Sequence, residues 1–128
     1  MPRNLCIEFH DSTVHGIRMA GPDAIVEISV YVHSSAGVPG VDPGLGWFQA
    51  AELILSEGVI EHAPSGFPLA LFDGVLAIDS DRFDDGPPLP LDRAGQVRLE
   101  LQGNSELVMV GTRIRCELRG APGEPEET

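Results

Sequence analysis

Two stretches near the end of the chain, Val97-Arg98-Leu99-Glu100-Leu101-Gln102 and Ile114-Arg115-Cys116-Glu117-Leu118-Arg119, alternate strictly between apolar and polar residues. A period of two sends successive side chains to opposite faces of an extended backbone, whereas a helix would scatter both sets around its axis. Both stretches therefore read as half-buried antiparallel strands. Between them, Gly103 to Glu106 carries turn chemistry, and Leu107 to Val110 is apolar on both faces, as a central strand would be. Three strands are thus expected to close the domain.

The same logic works upstream. Ala24 to His33 is rich in β-branched residues, and its even positions Ala24, Val26, Ile28, Val30 and Val32 are all apolar, which predicts a long strand. Leu69 to Phe72 and Val75 to Ile78 flank Asp73-Gly74, a pairing that predicts a hairpin. "WFQAAELILSE", Trp47 to Glu57, is ambiguous: Trp47, Ala50, Ala51, Ile54 and Gly58 lie at helical spacing, so a short helix near 47–57 stands against a strand. The strand alternative would make a second hairpin with Val59 to His62. The expected fold is all-β: a single antiparallel β-sandwich or small barrel of about eight strands.

At 128 residues the chain is long enough for one hydrophobic core, so residues 1–120 are expected to form a single β domain. The remainder, 121–128, "APGEPEET", has little to bury and is expected to be a disordered acidic tail. Two connections, Ser34 to Gly46 and Ser80 to Gly95, are long enough to suggest either a role or disorder.

A net charge of -12, with eight arginines and no lysine, repels phosphate backbones and anionic lipid. Nucleic-acid and membrane partners are therefore disfavoured, and a basic or neutral protein partner is expected. With no signal-like N-terminus and no apolar run approaching about 18 residues, the expected location is the cytoplasm. Cys6 and Cys116, with no metal-type spacing, are then expected to be reduced and buried, a disulfide being open only if the terminal strands are neighbours.

"FHDSTVH", Phe9 to His15, gathers the chain's most chemical residues. On a regular strand His10 and Ser12 share one face while Asp11 and His15 share the other, and on a helix the two histidines sit about 140° apart. Only a bulge or turn would let them chelate together, and the stretch is expected to be the end of the first strand turning into the second. Ser12 has no flanking glycine to form a nucleophile elbow. A metal site would need His33 from the following strand, or Asp42 from the loop after it, beside His10. "DSDRFDDG", Asp79 to Gly86, fails EF-hand spacing, because it offers Phe83 and Pro90 where oxygen ligands belong. No phosphate loop, CxxC or HExxH pattern occurs, so no cofactor and no catalytic residue is expected.

Through "FHDS", "SSAGVPGVDPGLGW" and "FDGVL", the chain resembles small bacterial all-β proteins that open on a His-Asp-Ser stretch, and more loosely the acidic proteins grouped with toxin immunity proteins. The resemblance implies a stand-alone bacterial β domain, with no catalytic residues to carry over.

The leading expectation is a non-catalytic cytoplasmic binding or protein-interaction module. His10, Asp11, His33, Asp42 and Trp47 are the candidate contact residues, with Trp47 as a partner anchor or a core residue. The alternative is a small-ligand or metal site near His10 and His33. Self-association through exposed strand edges is a third possibility.

Overall fold

The computed structural model describes residues 4–127. In chain order its strands are β1 (Asn4–Ala20), β2 (Asp23–Ser35), β3 (Gly44–Ser56), β4 (Val59–His62), β5 (Leu69–Ala70), β6 (Asp73–Ile78), β7 (Asp81–Asp84), β8 (Pro88–Leu89), β9 (Asp92–Gln102), β10 (Glu106–Arg119) and β11 (Glu126–Glu127). All pairings are antiparallel, and the main path runs β5-β1-β2-β3-β10-β9-β6-β7. The sheet curls into a half-barrel.

Period-two patterning builds the core. The even positions of β2, from Ala24 to Val32, are all buried inside the curl, as are Val97, Leu99 and Leu101 of β9. Rows of inward side chains run across neighbouring strands, as in Ala24, Leu55 and Ile114, or Val26, Leu53 and Cys116. In β10 the inward set changes from the odd Leu107 and Met109 to the even Ile114, Cys116 and Leu118, across a register shift in which three steps of β9, Val97 to Ala94, match two of β10, Gly111 to Arg113. Leu107 to Val110 and Ile114 to Arg119, expected as separate strands, are therefore one continuous strand, paired across a bulge in β9. Such a bulge also bends the strand, which helps the sheet curl.

Several expectations are corrected. Residues 47–57 form no helix: Trp47 to Ser56 belong to β3, where Ala51, Leu53 and Leu55 face the core between β2 and β10. Helix-forming side chains yield here because a strand between two others satisfies its backbone on both sides. β3 and β4 do not pair with each other. Both lie along β10, as one line kinked at Glu57, whose φ is 51°.

Nor does Asp73-Gly74 form a turn. β5 pairs with β1, while β6 starts at Asp73 and pairs with β9 and β7. A two-residue I′ turn requires positive φ at both central residues, and neither Asp73 nor Gly74 has it. The glycine serves a close approach instead: a Cβ there would lie 2.7 Å from Cδ2 of Phe9, a fully buried ring.

The long connection from Ser80 contains β7, β8 and the start of β9, and it spans the gap between β6 and β1. Ile7 N–H donates to the Pro87 carbonyl (3.1 Å), Phe9 N–H to Asp85 (2.6 Å) and Asp11 N–H to Leu71 (3.2 Å). "PPLPL" is thus part of the wall, with Leu89 opposite Leu5 and Pro88 opposite Cys6. The C-terminal stretch is exposed, yet Glu126 and Glu127 pair with Gly46 and Leu45.

Candidate functional site

β1 does not end at "FHDSTVH". It continues to Ala20, and the turn into β2 lies at Gly21-Pro22. The register explains how the strand passes through. Glu8 opposes Tyr31 and Thr13 opposes Ser29, so the four residues Phe9 to Ser12 face the single residue Val30. This wide bulge needs one left-handed residue, supplied by Asp11 at φ 70°. Ser12 fills the gap: its hydroxyl accepts from Tyr31 N–H (3.2 Å) and donates to the Glu8 carbonyl. The serine is buried and committed to the main chain on both sides, which leaves it no part as a nucleophile.

Before the bulge, alternation decides what stands where. Ile7, Phe9, Val30 and Val32 point into the core, so Cys6, Glu8, Tyr31 and His33 stand on the outer face of the same strand pair. His10 joins them at the bulge. The Glu8 carboxylate is the hub: Oε2 meets His33 Nε2 at 2.9 Å and Oε1 meets His10 Nδ1 at 3.3 Å, while His10 Nε2 lies 3.5 Å from Asp11 Oδ2. One ligand-capable atom each from Glu8, His10 and Asp11 lies within 4.8 Å of the others. Asp85, also left-handed at φ 67°, accepts from His10 N–H at 2.9 Å. A cleft of about 200 Å³ separates Cys6, Glu8 and His33 from Gly40 and Asp85.

The electrostatics follow from this crowding. Glu8, through its hydrogen bond, and then the Asp11 charge hold the His10 imidazolium above its ordinary pKa. Burial and the nearby Glu8 push Asp85 up, and they do the same to the Cys6 thiol. The two histidines differ in setting: the His10 side chain is 52% exposed and that of His33 only 12%. The Nδ1 of His33 is buried with no hydrogen-bond partner. The less costly tautomer therefore carries the proton on Nε2, donates it to Glu8 and leaves only an acceptor unpaired.

Beside the cluster runs an aromatic row. Tyr31 meets His33 edge-on at 4.9 Å between centroids and meets Phe48 of β3 at 4.8 Å. Its ring covers Gly46, where any Cβ would collide with the phenol, so glycine is required there.

Of the residues expected at a site, the structure brings His10, Asp11 and His33 together. Asp42 is elsewhere engaged: its carboxylate accepts from Val38 N–H at 2.6 Å and braces its own loop. Trp47 is half-buried, bonded to Gln49 Oε1 at 3.0 Å, and Pro122, Gly123 and Pro125 line the hollow beside it. His15 bonds Ser29 at 2.7 Å. The aspartates of "DSDRFDDG" do not gather either, since Asp79 accepts from Gln96 N–H, Asp81 pairs with Arg93 and Asp84 pairs with Arg82.

Glu8 and Asp85 were not anticipated. Glu8 was legible, being two residues before His10 and so on the same face of a strand. Asp85 arrives from 75 residues away, which no local pattern reveals.

Comparison with protein families, with curated proteins and with solved structures finds no match. No helix among the described residues is long and apolar enough to cross a membrane.

Proposed function

We propose that this chain is a non-catalytic binding module that takes up a divalent transition-metal ion through Glu8, His10 and Asp11. The observation that carries the reading is the Glu8 carboxylate, which touches both histidines and shares a ligand-sized space with Asp11. Metal–ligand bonds of about 2.0–2.2 Å in a tetrahedral shell put neighbouring ligand atoms about 3.3–3.6 Å apart. The His10 Nδ1–Glu8 Oε1 separation of 3.3 Å matches that spacing, the 3.5 Å contact of Asp11 is to the other ring nitrogen, and one ligand atom from each of the three residues lies within 4.8 Å of the others.

One imidazole with two carboxylates suits zinc, cobalt or manganese, and water completes the shell. His33 is an orienting group here. As a ligand through Nε2 it would have to carry its proton on the buried, partnerless Nδ1, whereas as a donor it fixes Glu8 in the way that outer hydrogen bonds hold metal-binding carboxylates. The unpaired Cys6 and Cys116 support a reducing compartment such as a bacterial cytoplasm.

Calorimetric titration of the untagged protein with zinc and cobalt chlorides tests the reading. One ion bound per chain is expected, lost in His10→Ala, weakened roughly 10- to 100-fold in His33→Ala and unchanged in Asp42→Ala. Binding that persists in His10→Ala would overturn it.

A further inference from the structure

We propose that the outer face built on Tyr31 and Phe48, with Glu8, Asp11 and Glu126 around it, docks an arginine-bearing segment of a protein partner. The inference goes beyond the metal reading; both use Glu8 and Asp11, so a bound ion and the arginine compete for these carboxylates, and the test below is run on metal-free protein.

Charge pairing leaves the carboxylates of this face without an arginine partner. All seven arginines among the described residues pair with carboxylates of the chain itself: Arg18 and Arg119 with Glu52, Arg82 with Asp84, Arg93 with Asp81, Arg98 with Glu61 and Glu100, Arg113 with Asp92, and Arg115 with Glu117. None of these pairs involves Glu8, Asp11 or Glu126. On one half of the outer face, then, Glu27, Glu52 and Glu117 share Arg18 and Arg119. On the other half Glu8 and Asp11 meet only histidines. Glu8 opposes Tyr31 across the β1–β2 pair, and Glu126 opposes Gly46, which the Tyr31 ring covers. A net charge of -12 adds long-range attraction to any cationic partner.

The aromatic pair gives this negative face its shape. Phe48 is 46% exposed and stands edge-on to Tyr31, on the strand pair that carries Glu8 opposite Tyr31. A guanidinium is flat, stacks on an aromatic face and offers a fork of N–H donors to a carboxylate in its own plane. A lysine ammonium can use the charge but not the plane.

The test is fluorescence anisotropy with a labelled Gly-Arg-Gly-Arg-Gly peptide and its lysine counterpart, titrated with the full chain at low and physiological salt. The arginine peptide is expected to bind more tightly than the lysine peptide. Phe48→Leu and Tyr31→Leu, which keep net charge and apolar bulk, are each expected to weaken it by roughly two- to fivefold, the range for an exposed cation–π contact. Glu61→Gln, a charge removed on β4, is expected to change it less. His10→Ala should leave peptide binding in place while abolishing metal uptake, so the two readings fail separately. Equal affinity for both peptides, or losses that follow net charge alone, would overturn the proposal.

Discussion

Replacing Gly74 with alanine is the sharpest test of how this wall is built. The new Cβ would lie 2.7–2.8 Å from Cδ2, Cβ and Cγ of Phe9, whose side chain is fully buried. Ordinary carbon contacts begin near 3.4 Å, so the ring or strand β6 must shift by several tenths of an ångström in a packed core. Overpacking of this kind costs about 1–3 kcal/mol. Urea unfolding followed by circular dichroism should show a lower midpoint at unchanged slope.

The decisive comparison is with Phe9→Leu. That change shrinks the obstructing group, so the double variant should be more stable than the sum of the single losses predicts by at least about 1 kcal/mol. If Gly74 were a turn glycine, the cost would come from its own backbone and the two changes would add to within about 0.5 kcal/mol. Additive losses would refute the packing argument.

Ser12→Ala strips the bulge of its plug and leaves Tyr31 N–H without its partner, so a loss of about 1–3 kcal/mol is expected in the same assay; a change within experimental error would mean the hydroxyl is not what holds the bulge. His10 should titrate by NMR with a midpoint above the ordinary histidine value of 6.5, moving down in Glu8→Gln. Because the folded pKa is raised, His10 stabilises the fold fully below the unfolded pKa and loses that contribution as pH rises through the folded one. Metal uptake should run the opposite way, weakening in acid as the proton competes for the imidazole.

The strand content of the chain was determined by its sequence wherever one face is core. The alternations over Val97 to Gln102, Ile114 to Arg119 and the even positions of Ala24 to Val32 required period-two structure, because the opposite face of each strand carries groups that need water. The same parity places Glu8 beside His10, and it would have found the hub of the candidate site had the window begun one residue earlier.

What the sequence could not decide is which strand meets which. Asp73-Gly74 has the composition of a turn, but its glycine answers to Phe9, more than sixty positions away in the chain. Trp47 to Ser56 would make a fair helix on its own and becomes a strand because β2 and β10 stand on either side to complete its hydrogen bonds. The bulge at Phe9 to Ser12 exists because the registers on its two sides differ, and a register is a property of two strands. Asp85 reaches His10 only because the curled sheet brings its far end back to β1. Side-chain parity is local and can be read along one segment, whereas pairing and closure are set by the core as a whole, which only the tertiary structure contains.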